Sequence, residues 1–130
     1  MKNELVKKNK PKHSNKPVIE IWCDGGCRNN GTSCSVGAYA YKIIKGSEIF
    51  VWGKAEKGTT NNKMELMSVI EALRDLYDNE KVHCQIHIFS DSQYVVKGLN
   101  EWWWGWVEKG FRNVKNLELW ITLRKLWDSI

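Results

Sequence analysis

The chain has no apolar run approaching the roughly 18 residues that a membrane-spanning helix requires. Its first seventeen residues, MKNELVKKNKPKHSNKP, lack the apolar centre of a secretory signal, so the sequence reads as neither secreted nor anchored but as cytoplasmic. Only four cysteines occur, at 23, 27, 34 and 84, without the paired spacing of a disulfide framework. Internal repeats are absent, and the one biased segment is the lysine-rich start. Net charge is also absent from most of the chain. The first seventeen residues hold six lysines against one glutamate, and the other 113 carry fourteen basic and fourteen acidic side chains. That balance excludes a uniformly basic nucleic-acid module and leaves a neutral domain, 18–130, behind a flexible basic arm, 1–17. A hydrophobic content of 42% with eight tryptophans is enough for a real core, so the domain is expected to be globular.

Along the chain, VIEIWCDGG alternates apolar and polar residues and ends in an acid and two glycines. CSVGAYAYKII and SEIFVWGKAE alternate likewise around a short turn at Lys45 and Gly46, which predicts a three-stranded antiparallel meander. TTNNKMELMSVIEALRDL follows as an amphipathic helix, with Leu66, Val69, Ile70, Leu73 and Leu76 on one stripe. CQIHIFSDS is a further strand closed by an acid. Because it comes after a helix, a right-handed crossover should return it parallel to the first strand. QYVVKGLNE and WWWGWVEKGF read as short helices and NLELWITLRKLWDSI as a final one. The fold class is α/β: a mixed sheet with helices on its faces.

One residue of the long helix is out of place. Glu65 lies between Met64 and Leu66, although Glu71, Arg74 and Asp75 already supply a solvated face. Two strands end in aspartate, Asp24 and Asp91, and sites in such sheets form at the carboxyl ends of parallel strands. If those strands are neighbours, the helix between them can bring Glu65 to the same spot. Three carboxylates repel one another unless a cation neutralises them, and oxygen-only ligands select hard ions, magnesium above all beside phosphate. Each aspartate also has a plain structural reading, Asp24 as the start of a turn and Asp91 as the cap of the next helix. A zinc site from Cys23, Cys27, His83 and His87 has poor spacing, and buried free thiols are the simpler reading for Cys23 and Cys84.

CDGGCRNNG, TTNNKMELMSVIEAL and SDSQYVVKGL resemble, in order, three signatures of the bacterial type of ribonuclease H. EWWWGWVEKGF followed by VKNLELW resembles that family's tryptophan-rich handle and the helix after it. The resemblance runs unbroken over roughly residues 18–128. It implies a five-stranded sheet of order 3-2-1-4-5 and endonucleolytic cleavage of the RNA strand of RNA–DNA hybrids. Asp24, Glu65 and Asp91 match the family's metal-binding acids. Two magnesium ions roughly 3.5–4 Å apart, replaceable by manganese, would serve in-line hydrolysis. Asn30, Asn61, Asn62 and Gln93 would contact the hybrid in its minor groove, where 2′-hydroxyls mark the RNA strand. Thr60 would hold a DNA phosphate, Trp106 would lie along the DNA backbone, and Cys27 would sit close to that surface. For Asn61 and Asn62 helix capping is an equal reading, and most of the tryptophans are expected in the core.

The sequence stops at Ile130, where the family's pattern continues into a fifth strand, a histidine-bearing loop and a helix with a fourth acid. Asp128 precedes that region and does not take the fourth acid's place. On this reading the strand CQIHIFS is left with an open edge, which invites self-association or a complementing C-terminal segment. Turnover by the chain alone would be impaired. Two alternatives to a hybrid-cleaving enzyme follow: a non-catalytic hybrid-binding module, or one fragment of a split or interrupted enzyme. The clustered acids favour an enzyme or its fragment, because a binding module gains nothing from them.

Overall fold

The computed structural model describes residues 4–8, 18–79 and 85–129. In chain order the elements are β1 (Glu4–Lys8), β2 (Val18–Arg28), β3 (Val36–Lys45), β4 (Glu48–Lys57), α1 (Asn61–Asn79), β5 (Gln85–Ser90), α2 (Gln93–Lys97), α3 (Trp103–Glu108) and α4 (Leu117–Ser129). A π-helical turn, Gly98–Trp102, joins α2 to α3. The strands form one sheet of order β1-β5-β2-β3-β4. β2, β3 and β4 are the expected antiparallel meander, and β5 returns parallel to β2 with Val18 opposite Gln85 and Cys23 opposite Ser90.

Strand alternation decides where the core lies. Ile19, Ile21 and Cys23 of β2, Tyr41 and Ile43 of β3, and Ile86 and Ile88 of β5 share one face and are buried. The α1 stripe packs on that face: Leu66, Val69, Ile70, Leu73 and Leu76 are all at most 3% exposed. α4 adds Trp120 and Leu123, both wholly buried. Each such side chain contributes about 1.5–3 kcal/mol relative to exposure, so the stripe alone orients α1 across the sheet. Gly98 shows how tightly the helices meet. A Cβ built there would come within 2.0 Å of the Trp120 indole. The π-helical turn therefore brings bare backbone against a ring.

Two expectations change. The segment 1–17 was expected to be flexible throughout, yet residues 4–8 pair antiparallel with β5, from Glu4 opposite Ser90 to Lys8 opposite Ile86. The outer edge of β5, expected to be open for want of a fifth strand, is covered by this pairing. The physical reason is the one that made the edge a liability. Unpaired N–H and C=O groups accept any extended segment within reach, and ELVKK is within reach. Residues 1–3 and 9–17 of the arm lie outside the described residues, as do His83 and Cys84.

Candidate active site

The register places the two aspartates. Pairing between β2 and β5 stops at Cys23 and Ser90, so Asp24 and Asp91 are the first residues beyond it on neighbouring parallel strands. Asp24 does not end its strand, as its two following glycines suggested. β2 runs on to Arg28, held by β3, with Asp24 opposite Ala40 and Arg28 opposite Val36. The aspartate therefore sits on fixed backbone rather than in a turn. Asp91 is likewise spared the role of helix cap. Ser92 caps α2, its side chain accepting the Val95 N–H, while the Ser92 N–H donates to Ser90 Oγ at 3.1 Å.

Glu65 arrives from α1, whose start is tied down by the β2–β3 loop. Thr60 Oγ1 accepts the Lys63 N–H at 3.2 Å, and Asn30 Oδ1 accepts the Asn61 N–H at 2.8 Å. One residue earlier, the Thr59 N–H donates to Ser35 Oγ at 2.8 Å. Capping thus falls to Thr60 and Asn30, and the side chains of Asn61 and Asn62 stay exposed. Gly25 explains the approach of the helix. A Cβ there would lie 2.5 Å from the Met64 carbonyl carbon and 2.7 Å from the Glu65 nitrogen. Only a residue without a side chain lets α1 settle so close to β2, and the Gly25 N–H hydrogen-bonds the Glu65 carboxylate.

One oxygen from each of Asp24, Glu65 and Asp91 lies within 4.8 Å of the others. Asp24 is exposed, while Glu65 and Asp91 are half-buried. Glu65 Oε2 is buried and has no hydrogen-bond partner. Burial, with the charges of Asp24 and then Asp91 adding to it, pushes the Glu65 carboxyl up to about 7; the Gly25 N–H opposes the shift. An orphaned carboxylate oxygen beside two further carboxylates fits a hard divalent cation, which would satisfy the oxygen and cancel the repulsion. Among the described residues this is the one such cluster. Cys23 is a buried free thiol whose Sγ lies 3.7 Å from the Ser68 carbonyl, and among the described residues it joins no cluster of metal-ligating groups; His83 of the weighed zinc set lies outside them.

The other candidate residues divide into two groups. Asn30, Thr60, Asn61 and Asn62 line a recess of about 540 Å³ at the N-terminus of α1, together with Lys115 and Asn116. The sequence assigned no site role to either Lys115 or Asn116. Their position depends on a turn in which Gly110, Phe111, Asn113 and Asn116 all adopt positive φ, and on Tyr94. The Tyr94 hydroxyl accepts from Trp120 Nε1 at 2.9 Å and from Asn116 Nδ2 at 3.4 Å, and donates to the Lys115 carbonyl at 3.4 Å. Cys27 lines a shallow groove of about 820 Å³ that starts at Asp24 and runs over Gly26, Ala38, Ala40 and Ala55. Its thiol also lies 3.4 Å from the Thr59 carbonyl, a second tie between β2 and the start of α1. Gln93 is exposed on the first turn of α2, two residues after Asp91.

Trp106 is less available than expected. It is half-buried, edge-on to Trp120 with centroids 5.1 Å apart, and touches Trp102 and Trp103. Against the expectation of a mostly internal set, only Trp103, Trp120 and Trp127 are buried, while Trp52, Trp102 and Trp104 are exposed and Trp22 and Trp106 half-buried. The most exposed tryptophan of the handle is Trp104, at 63%, with the Arg124 guanidinium 5.4 Å from its ring.

A mixed sheet that gathers three carboxylates beside the start of a helix defines a candidate metal-dependent site, and comparison with known proteins supplies the class. The model of the RNase H family matches residues 16–129. A ribonuclease H of Campylobacter jejuni is 45% identical over 112 residues, covering 85% of this chain and 71% of the relative. One from Hahella chejuensis is 41% identical over 120 residues, covering 83% and 72%. Among solved structures, LC9-RNase H1, described as a type 1 RNase H with the type 2 active-site motif, superposes with a TM-score of 0.73 at 25% identity. That match covers 88% of this chain and 60% of the other. LC11-RNase H1, solved in complex with an RNA/DNA hybrid, shares the fold at a TM-score of 0.56 and 21% identity, over 85% of this chain and 75% of that one. The chain belongs to the ribonuclease H family. No helix among the described residues is long and apolar enough to cross a membrane.

Proposed function

We propose that this protein is an endoribonuclease that hydrolyses the RNA strand of RNA–DNA hybrids, with Asp24, Glu65 and Asp91 holding divalent magnesium. The observation that carries the reading is the buried, unpartnered Glu65 Oε2 within a cluster of three carboxylates. Divalent ions bound there would supply Lewis-acid activation of water and stabilisation of the leaving oxygen. The chain's own contribution is to fix the three acids on a paired strand, a helix and a strand end, so that little reorganisation is needed when charge develops. Gly25 sets the depth of Glu65, and Ser92 keeps the Asp91 carboxylate out of the helix cap.

The recess at the start of α1 supports a role in holding substrate. Backbone N–H groups at a helix N-terminus favour anions, α1 has no acid in its first turn, and Lys115 adds a positive charge beside it. A backbone phosphate held by Thr60, Asn30 and Lys115 would fix the register of the duplex. Asn61, Asn62 and Gln93 then present amides able to read 2′-hydroxyls. Cys27 lies at the edge of this surface, and Trp106, half-buried, offers only part of its ring to a backbone.

The test is cleavage of a labelled RNA–DNA hybrid against RNA–RNA and DNA–DNA duplexes, with magnesium, manganese or EDTA. Cleavage confined to the RNA of the hybrid, dependent on the metal and lost in Asp24→Asn while hybrid binding persists, is the expected result. Binding without cleavage in either metal would replace the enzyme with a hybrid-binding module. Metal-dependent cleavage undiminished in Asp24→Asn would remove the acids from the reaction.

A further inference from the structure

With β1 covering β5, the lateral edge left open among the described residues is β4, whose one strand neighbour there is β3. Nine of its ten residues are exposed, Glu56 being half-buried. Its centre is four consecutive large apolar residues: Ile49 is 60% exposed, Phe50 54%, Val51 70% and Trp52 50%. Edge strands are normally blunted by charge, proline or a bulge at their centre, because unpaired backbone groups template further pairing. β4 has no such device between Ile49 and Trp52.

The charge pattern says what fits this edge. Two copies of one edge strand, paired antiparallel, must place outward-pointing residues opposite outward-pointing residues, and these alternate along the strand. Only every second register is therefore open to self-pairing. With the two-fold axis at Val51, Phe50 faces Trp52 of the second copy, Ile49 faces Gly53, and Glu48 faces Lys54. Each of these pairs occurs twice by symmetry. With the axis at Trp52, Glu48 would instead face Glu56; with the axis at Phe50, it would face Trp52 and leave Lys54 opposite Gly46. The Val51 register alone matches Glu48 with Lys54. It also adds Phe50 of the second copy to an existing aromatic group, since Trp52 lies 6.3 Å from Tyr39 and 6.2 Å from Tyr41, ring centre to ring centre.

We propose that β4 is a self-association surface, on which a second copy of this chain pairs antiparallel about a two-fold axis at Val51 to give one continuous sheet. The contact is isologous and closes at two copies, because the β4 edge of each copy is consumed. Opposite charges directly across a ladder stabilise it and like charges weaken it.

The experiment is sedimentation equilibrium of the full chain over a range of concentrations, with the variants Glu48→Lys, Lys54→Glu and the double exchange. Glu48 and Lys54 are both exposed on the same edge, and circular dichroism confirms that each variant is folded. The expected result is a mass of twice the chain for the starting protein. Each single variant should dissociate roughly tenfold or more readily, because two attractive pairs become two repulsive ones. The double exchange should restore the dimer. A protein monomeric at every concentration, single variants that dimerise unchanged, a double exchange that stays dissociated, or open-ended growth beyond two copies would each overturn the proposal.

Discussion

Replacing Glu65 with glutamine isolates the electrostatic cost of the three-acid cluster. In the fold the Glu65 carboxyl titrates at about 7, against 4.5 for the same group in an unfolded chain. Its folded value is raised, so the native state binds the extra proton between these limits and stability falls as pH rises through them. Below about 4.5 the group is protonated in both states and contributes nothing. Above about 7 it is ionised in both, and the full penalty of burying that charge beside Asp24 and Asp91 is present. At about 1.36 kcal/mol per pH unit the shift would correspond to somewhat over 3 kcal/mol, but the side chain is half-exposed and water screens it. A discounted penalty of about 1–2 kcal/mol is the reasonable size, roughly 4–8 °C in Tm for a domain of this length. Glu65→Gln removes the charge at every pH and keeps the shape. Thermal melts in EDTA should therefore superpose near pH 4.5 and diverge by pH 8, with the variant the more stable. Magnesium should then raise the Tm of the starting protein and leave the variant nearly unmoved, since a ligand stabilises only the state that binds it. A Tm difference independent of pH, or a variant less stable at pH 8 in EDTA, would refute the account of the site as a set of charges held together against their repulsion.

Three other outcomes follow from particular contacts. Gly25→Ala should destabilise the fold by about 1–3 kcal/mol in denaturant melts and abolish cleavage, because its Cβ would force α1 and Glu65 away from β2; wild-type stability and turnover would show that the helix has room. Tyr94→Phe should cost about 1–3 kcal/mol by leaving the buried Trp120 Nε1–H without a partner, measured by urea unfolding. Its hybrid affinity should also fall as Lys115 and Asn116 loosen, and an unchanged affinity would detach them from substrate. Deleting residues 1–17 should weaken hybrid binding and reduce the slope of log affinity against log salt, since six lysines leave with the segment, while the preference for hybrid over other duplexes persists. An unchanged slope would exclude any phosphate contact from the arm.

The three acids were legible because each sits in a short local pattern, and Glu65 stands out from the helix around it. The core stripe of α1 was legible for the same reason: a helical period needs only its own residues. What escaped was non-local. Asp24-Gly25-Gly26 reads as a turn, and it is the ladder with β3 that carries the strand on to Arg28. ELVKK has two apolar residues in a lysine-rich run, and its strand character comes from the β5 edge it meets. Lys115 and Asn116 reach the recess through a turn with four residues at positive φ, three of them not glycine, and through a hydroxyl on another helix, which no local periodicity announces. Trp106 looked like a surface residue by motif and is half-buried because it packs against Trp102, Trp103 and Trp120.

Asp24 and Asp91 are 67 residues apart in the chain and meet only through the parallel pairing of β2 with β5. Such pairing closes a long loop and belongs to the slow end of folding, after local helices and the meander have formed. A partly folded chain can therefore own a complete α1 and a complete meander and still have no ion-binding cluster. If the cluster holds magnesium as proposed, metal affinity would serve as a clock for this long-range step: the moment at which a refolding chain first competes with a chelating dye for the ion would mark the docking of β5, whatever spectroscopic signal the tryptophans have already given.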